Sequence, residues 1–118
     1  MANKAIIGIV GKHYDVEKQR TDTYIRDEVK QAIFDNGAIA IGILAPNEEL
    51  IYCRGNWNEF DDSLKKDDII DQVDLCDGVI LQGGNTNEVF ESFIAKYCYD
   101  NDIPCLGFCA GQNCIVDA

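Results

Sequence analysis

A chain of 118 residues, 47% of them apolar, has material for one domain with a layered core and none for a second. Twenty-one acidic side chains against ten basic give a formal charge of −11, which repels phosphate backbones and anionic bilayers, so neither nucleic acid nor a membrane is expected as a partner. No run approaches the ~20 apolar residues of a membrane span, and Met1-Ala2-Asn3-Lys4 leads straight into Ile6-Ile7-Gly8-Ile9-Val10 without the longer apolar region of a signal peptide, so a cytoplasmic protein is expected.

The first apolar run, Ala5 to Val10, is nearly continuous, as in a parallel strand covered on both faces. Gly11-Lys12-His13-Tyr14-Asp15 then reads as the turn at its C-terminal end. A helix is predicted from about Thr23 to Asn36, with Ile25, Val29, Ala32 and Ile33 on one stripe and Gly37 as a left-handed stop. Ala38 to Leu44 is a second strand. Between Pro46 and Asp62 the pattern breaks, and residues 47–57 read as a loop or a small hairpin about Gly55-Asn56, with Trp57 capping the core or lining a cleft.

A second helix runs from Ser63, its N-cap, through Ile69, Ile70 and Val73 to about Cys76. Gly78 to Gln82 is a third strand and ends in Gly83-Gly84-Asn85-Thr86. The third helix opens near Asn85 or Thr86, where Asn85 and Glu88 have capping-box spacing, and carries Val89, Phe90, Phe93, Ile94 and Tyr97 inward. Pro104 to Phe108 is the last strand. This β-α-β-α-β-α-β alternation predicts a flavodoxin-like, three-layer α/β/α fold with a mostly parallel, doubly wound sheet.

Cysteines at positions 53, 76, 98, 105, 109 and 114 contain no C-x-x-C pair, and four fall in or beside apolar runs. They read as reduced thiols, with neither a metal site nor a cofactor expected.

Gly107-Phe108-Cys109-Ala110-Gly111 places one of these cysteines between two glycines at the end of a strand. A side chain on a sharp strand-to-helix turn needs neighbours without a Cβ, so the pattern is the thiol version of a nucleophile elbow. Its sulfur would lie near a helix N-terminus, where the peptide dipole favours a thiolate. The turns after strands one, three and four leave from one sheet edge, where open α/β sheets bind ligands. The N–H of Ala110, with one from Gly84 or Asn85, is suited to hold an oxyanion there. His13, the only histidine, lies at the same edge as a candidate base. Asp77 reads as a helix-exit or turn residue, and Glu88 and Glu91 as favourable charges at a helix N-terminus.

The segment Asp77-Gly78-Val79-Ile80-Leu81-Gln82-Gly83-Gly84, followed by Pro104-Cys105-Leu106-Gly107-Phe108-Cys109-Ala110-Gly111-Gln112, resembles class I glutamine amidotransferases. Within them it is most similar to the γ-glutamyl hydrolase branch (peptidase family C26), with Ile6 to Gly11, Gly37 and Ala45-Pro46 also in the family's style. The resemblance covers nearly the whole chain and the N-terminal half of the family's domain. It implies that Cys109 attacks a γ-glutamyl or glutamine-like amide to form a thioester, with Gly84 and Ala110 as the oxyanion hole and Gly83, Asn85 and Gln112 against the substrate.

Three departures accompany it. The family commonly has Gln four residues after the nucleophile, where this chain has Asn113 and places Gln112 one position earlier. Thr86 stands where many γ-glutamyl hydrolases carry an aspartate, and the family's catalytic histidine and glutamate lie beyond residue 118. Three readings follow: the nucleophile half of an amidohydrolase, inactive in isolation; a non-catalytic binding or assembly module that forms a homodimer through the edge strand Pro104 to Phe108; and a reactive-cysteine protein of the DJ-1/PfpI type.

Overall fold

The computed structural model describes residues 3–17, 20–46, 66–82 and 89–107. Its elements are β1 (Ile6–Val10), β2 (Lys12–Glu17), β3 (Arg20–Tyr24), α1 (Asp27–Asp35), β4 (Ile39–Ile43), α2 (Lys66–Val73), β5 (Gly78–Leu81), α3 (Val89–Asp100) and β6 (Cys105–Gly107). Four strands form one parallel sheet in the order β4-β1-β5-β6, and β2 and β3 form a separate antiparallel hairpin. The flavodoxin-like α/β fold expected from the sequence is the fold observed.

Each strand of the sheet lies inside its apolar run, trimmed by one residue or so at the ends. The run from Thr23 to Asn36 divides differently. Residues Arg20 to Tyr24 pair with Lys12 to Glu17, in the register His13 with Thr23 and Lys12 with Tyr24, so the helix starts only at Asp27. Two features of the sequence favour the hairpin: Thr21 and Thr23 are β-branched, and the stretch is too polar to add an apolar stripe to a helix. Accordingly, Gly11 to Asp15 is not a turn. After Gly11 the chain continues as the first strand of a hairpin.

Helix α1 carries Asp27 and Glu28 in its first turn, which suits the helix dipole. It ends as a Schellman motif: Ala38 N donates to Ile33 O at 3.1 Å, Gly37 N donates to Phe34 O at 3.0 Å, and Gly37 has φ +79°. Helix α2 is described from Lys66 and α3 from Val89, so the expected caps at Ser63 and at Asn85 or Thr86 lie outside the described residues, as does all of 47–62.

Because side chains alternate along a strand, register sorts them by face. Val10, Val79 and Leu81 face α2 and α3 and join Ile69, Val73, Phe90, Phe93, Ile94 and Cys98 in the main core. Phe90 and Ile94 are fully buried and Phe93 nearly so, as the helical stripe implies, while Tyr97 is half-buried at the cluster's margin. On the opposite face, α1 leaves a groove of about 750 Å³ whose walls include Ile7, Val29, Ile33, Ile80 and Leu106. Among the described residues, β6 is paired on one side only, and its Leu106 is 55% exposed.

Asp77 has the structural role expected of it. Its backbone N–H donates to Ile6 O at 2.7 Å, and its carboxylate accepts the Ile6 N–H at 2.8 Å. That contact is at the N-terminal edge of the sheet, away from the strand ends that lead to the predicted elbow.

Candidate functional site

Three strand ends stand side by side at the C-terminal edge of the sheet. Val10 pairs with Leu81, and Leu81 pairs with Gly107, so β1, β5 and β6 finish in line. The chain leaves β1 toward β4 on one side and β5 toward β6 on the other, which makes the β1/β5 boundary the switch point at which such sheets bind ligands.

Gln82, immediately after β5, is 1% exposed and braces this edge. Its Nε2 donates to Val10 O at 2.9 Å and to Tyr24 O at 3.1 Å, and its Oε1 accepts the Arg26 N–H at 2.7 Å. One side-chain amide thus joins the end of β1, the end of β3 and the entry to α1. A buried glutamine with both polar ends occupied is a fixed component of the fold.

Lys12, at the start of β2, forms an ion pair with Glu91 in the first turn of α3, and the two side chains are 3% and 1% exposed. Glu91 therefore does more than place a charge at a helix N-terminus: it anchors the hairpin to α3 through a desolvated charge pair. Next to it, His13 is half-buried, with its ring tilted 58° against Phe90 at a centroid distance of 6.3 Å. It is a strand residue packed on an aromatic ring, and the expectation of a loop histidine is corrected accordingly.

The other predicted site positions, Gly83, Gly84, Asn85, Cys109, Ala110 and Gln112, lie outside the described residues. The described residues at this sheet edge are the strand end at Gly107, the braced residue Gln82 and the His13/Phe90 contact. Sequence reasoning missed the Gln82 brace and the Lys12–Glu91 pair. One signal for each was present, a glutamine ending an otherwise apolar strand and a lysine directly after the first strand's glycine.

Three cysteines are described, Cys76, Cys98 and Cys105, and all are free thiols. No group of three or more His, Cys, Asp or Glu side chains among the described residues is placed to hold a metal ion, and no described helix is long and apolar enough to cross a membrane.

No protein-family profile matches the chain. It is similar to the CTP synthase of Chlamydia trachomatis serovar L2, at 35% identity over 54 residues, covering 44% of this chain and 10% of that protein. With the CTP synthase of Chlamydia muridarum it shares 40% identity over 50 residues, 41% of this chain and 9% of that protein. The CTP synthase of Methanocaldococcus jannaschii aligns over 119 positions at 29% identity, covering 97% of this chain and 20% of that protein. The chain thus spans a fifth or less of the length of these relatives. These likenesses support a glutamine amidotransferase-like resemblance and give no support to its γ-glutamyl hydrolase branch.

Proposed function

We propose that the chain carries the nucleophile portion of a glutamine amidotransferase-like site, with glutamine or a glutamine-like amide as its substrate. The observation that carries this reading is the alignment of Val10, Leu81 and Gly107 at one sheet edge, with Gly83-Gly84 and Cys109 two to three positions further on in the sequence than Leu81 and Gly107. The relatives add to it, since CTP synthases have a class I glutamine amidotransferase as their C-terminal domain.

In this reading the Cys109 thiolate attacks the side-chain carboxamide carbon of glutamine. The N–H groups of Gly84 and Ala110 receive the negative charge that develops on the oxygen. Collapse of the tetrahedral species expels the amide nitrogen, which takes up a proton and leaves as ammonia. Water then opens the thioester, giving glutamate and the free thiol. Protonation of the leaving nitrogen calls for a positioned acid–base group, and the resemblance places that histidine beyond residue 118. His13 packs its ring against Phe90 near the same sheet edge. Hydrolysis of γ-glutamyl bonds is the narrower form of this activity and rests on the motif alone.

The test is covalent labelling with a glutamine analogue carrying an electrophilic carbon, together with ammonia release from glutamine by the longest protein in which the chain occurs. Label on Cys109, and loss of label and ammonia release in Cys109→Ser, are expected. A folded protein whose Cys109 ignores the analogue and which releases no ammonia would remove the covalent mechanism and leave the binding-module reading.

A further inference from the structure

We propose that the apolar groove beside α1 is the docking surface for the chain's own residues 110–118, which lie along it as an amphipathic helix. The inference stands whether or not Cys109 is a nucleophile.

The groove has a direction and a length. Val29 and Ile33 of α1 line one side, and Ile80 of β5 and Leu106 of β6 line the other. Its upper end is at Arg26, whose N–H is bound to Gln82, the residue that also holds Val10 O at the strand ends. Its lower end is at Asn36 and Ala38, next to Ile39, whose N–H donates to Ala5 O at 2.8 Å at the opposite edge of the sheet. Along α1 from Arg26 to Asn36, at ~1.5 Å per residue, the groove therefore runs for about 15 Å.

Position, length, pattern and charge identify the occupant. Strand β6 finishes at Gly107, paired with Leu81, so the chain leaves the sheet beside the groove's upper end. The other face of the sheet is already filled there, since Val79 and Leu81 are buried in the core formed with α2 and α3. Leu106, on the groove side, is exposed. As a helix, residues 110–118 span about 14 Å, close to the length of the groove. Gly111, Cys114, Ile115 and Ala118 recur at i, i+3, i+4 and i+7, which puts them on one stripe, and Gln112, Asn113 and Asp117 fall outside it. A second copy of the chain is disfavoured as occupant, because each copy brings a formal charge of −11. Residues 110–118 contribute a single acidic side chain, Asp117, and their tether to β6 keeps their effective concentration at the groove high. In this arrangement Ile115, near the middle of the segment, meets Ile7, Ile33 and Ile80 in the groove, and Ala110 is held at the strand-end edge.

The experiment is methyl NMR on the 118-residue chain, labelled at Ile, Leu and Val. Nuclear Overhauser effects from the Ile115 methyl groups to those of Ile7, Ile33, Ile80 or Leu106 are expected, with the groove methyls shielded from a soluble nitroxide. A mixture of labelled and unlabelled chains, read with an isotope filter, should show these contacts to be within one chain. In Ile115→Asp the contacts should vanish and the nitroxide should reach Ile80 and Leu106, while the core methyls of Val79 and Leu81 stay shielded. Should Ile115→Asp fail to fold, the unsubstituted chain decides alone. Contacts from the groove to a second copy, or groove methyls open to nitroxide and without contact to Ile115 in the unsubstituted chain, would overturn the proposal.

Discussion

Lys12 and Glu91, 79 positions apart in the chain, hold opposite charges together almost out of water, with side chains 3% and 1% exposed. The pair fastens the β2–β3 hairpin to the first turn of α3, beside the edge where β1 and β5 end. Desolvating two ions costs several kcal/mol, so a buried pair is not a simple gain, but removing one partner takes this ion pair from a charge that stays buried. Glu91→Gln and Lys12→Met are each expected to lower the unfolding free energy by about 3–5 kcal/mol. The double variant Lys12→Met/Glu91→Gln should lose less than the sum of the two. Urea unfolding of all four chains measures this, and strictly additive losses would mean that the two side chains do not act as a pair.

Gln82 is the second brace. Replacing it with leucine removes its bonds to Val10 O, Tyr24 O and Arg26 N, and at ~1 kcal/mol per bond the loss should approach about 3 kcal/mol. The loss has a local signature, since the Arg26 amide gives up its acceptor. Amide exchange at Arg26 should accelerate in Gln82→Leu more than exchange in the centre of β1. Equal acceleration at both places would show that Gln82 contributes only to global stability.

The contrast between these contacts and the sheet itself explains what was legible in the sequence. Each parallel strand sits in a nearly continuous apolar run, and such a run is visible without knowing its neighbours. Gly37 announced the end of α1 because few other residues take its backbone conformation cheaply. By contrast, β2 and β3 carry polar residues such as Lys12, Asp22 and Arg20, and only their mutual pairing defines them. Ile25 supplied a false helical position, although its side chain in fact reaches toward Gly42 of β4. The partners of Lys12 and Gln82 are fixed by tertiary contact across 56 to 79 positions, which no local pattern encodes. His13 sits in a strand and not in a loop, because its pairing with Thr23 is again a contact between polar stretches.

Tyr97 provides a prediction at high pH. Its hydroxyl donates to the Asp74 carboxylate at 2.7 Å, and that hydrogen bond, followed by burial and the carboxylate's charge, pushes the phenol up to about 12. Because the folded value lies above the ordinary ~10, the contact's contribution is fully present below pH ~10 and is lost as pH rises toward 12. Tyrosinate absorbance should show one of the five tyrosines ionising late. Asp74→Asn should bring that transition back toward the ordinary value. An unchanged titration would remove the charge-assisted hydrogen bond as its cause.

Gly8, in the middle of β1, tests how closely the sheet meets its neighbours. A Cβ there would lie 2.6 Å from both Cys76 Sγ and Ile43 Cδ1. Two effects compete in Gly8→Ala. Restricting the unfolded chain gains about 0.4–1 kcal/mol, whereas forcing a methyl group into a filled core typically costs about 1–3 kcal/mol. Overpacking should therefore win, and thermal or urea unfolding should show a net loss of stability. Adding Cys76→Ala and Ile43→Val removes the two nearest atoms, so Gly8→Ala should cost less in that background than in the unsubstituted chain. Gly42→Ala is the control, because among the described residues the only atom near its added Cβ is Ile25 Cδ1, the end of a flexible side chain, at 3.0 Å. Its stability change should stay within about 0.5 kcal/mol, the usual range for surface substitutions. Equal losses at Gly8 and Gly42 would mean that the cost comes from the strand backbone and not from contact with Cys76 and Ile43.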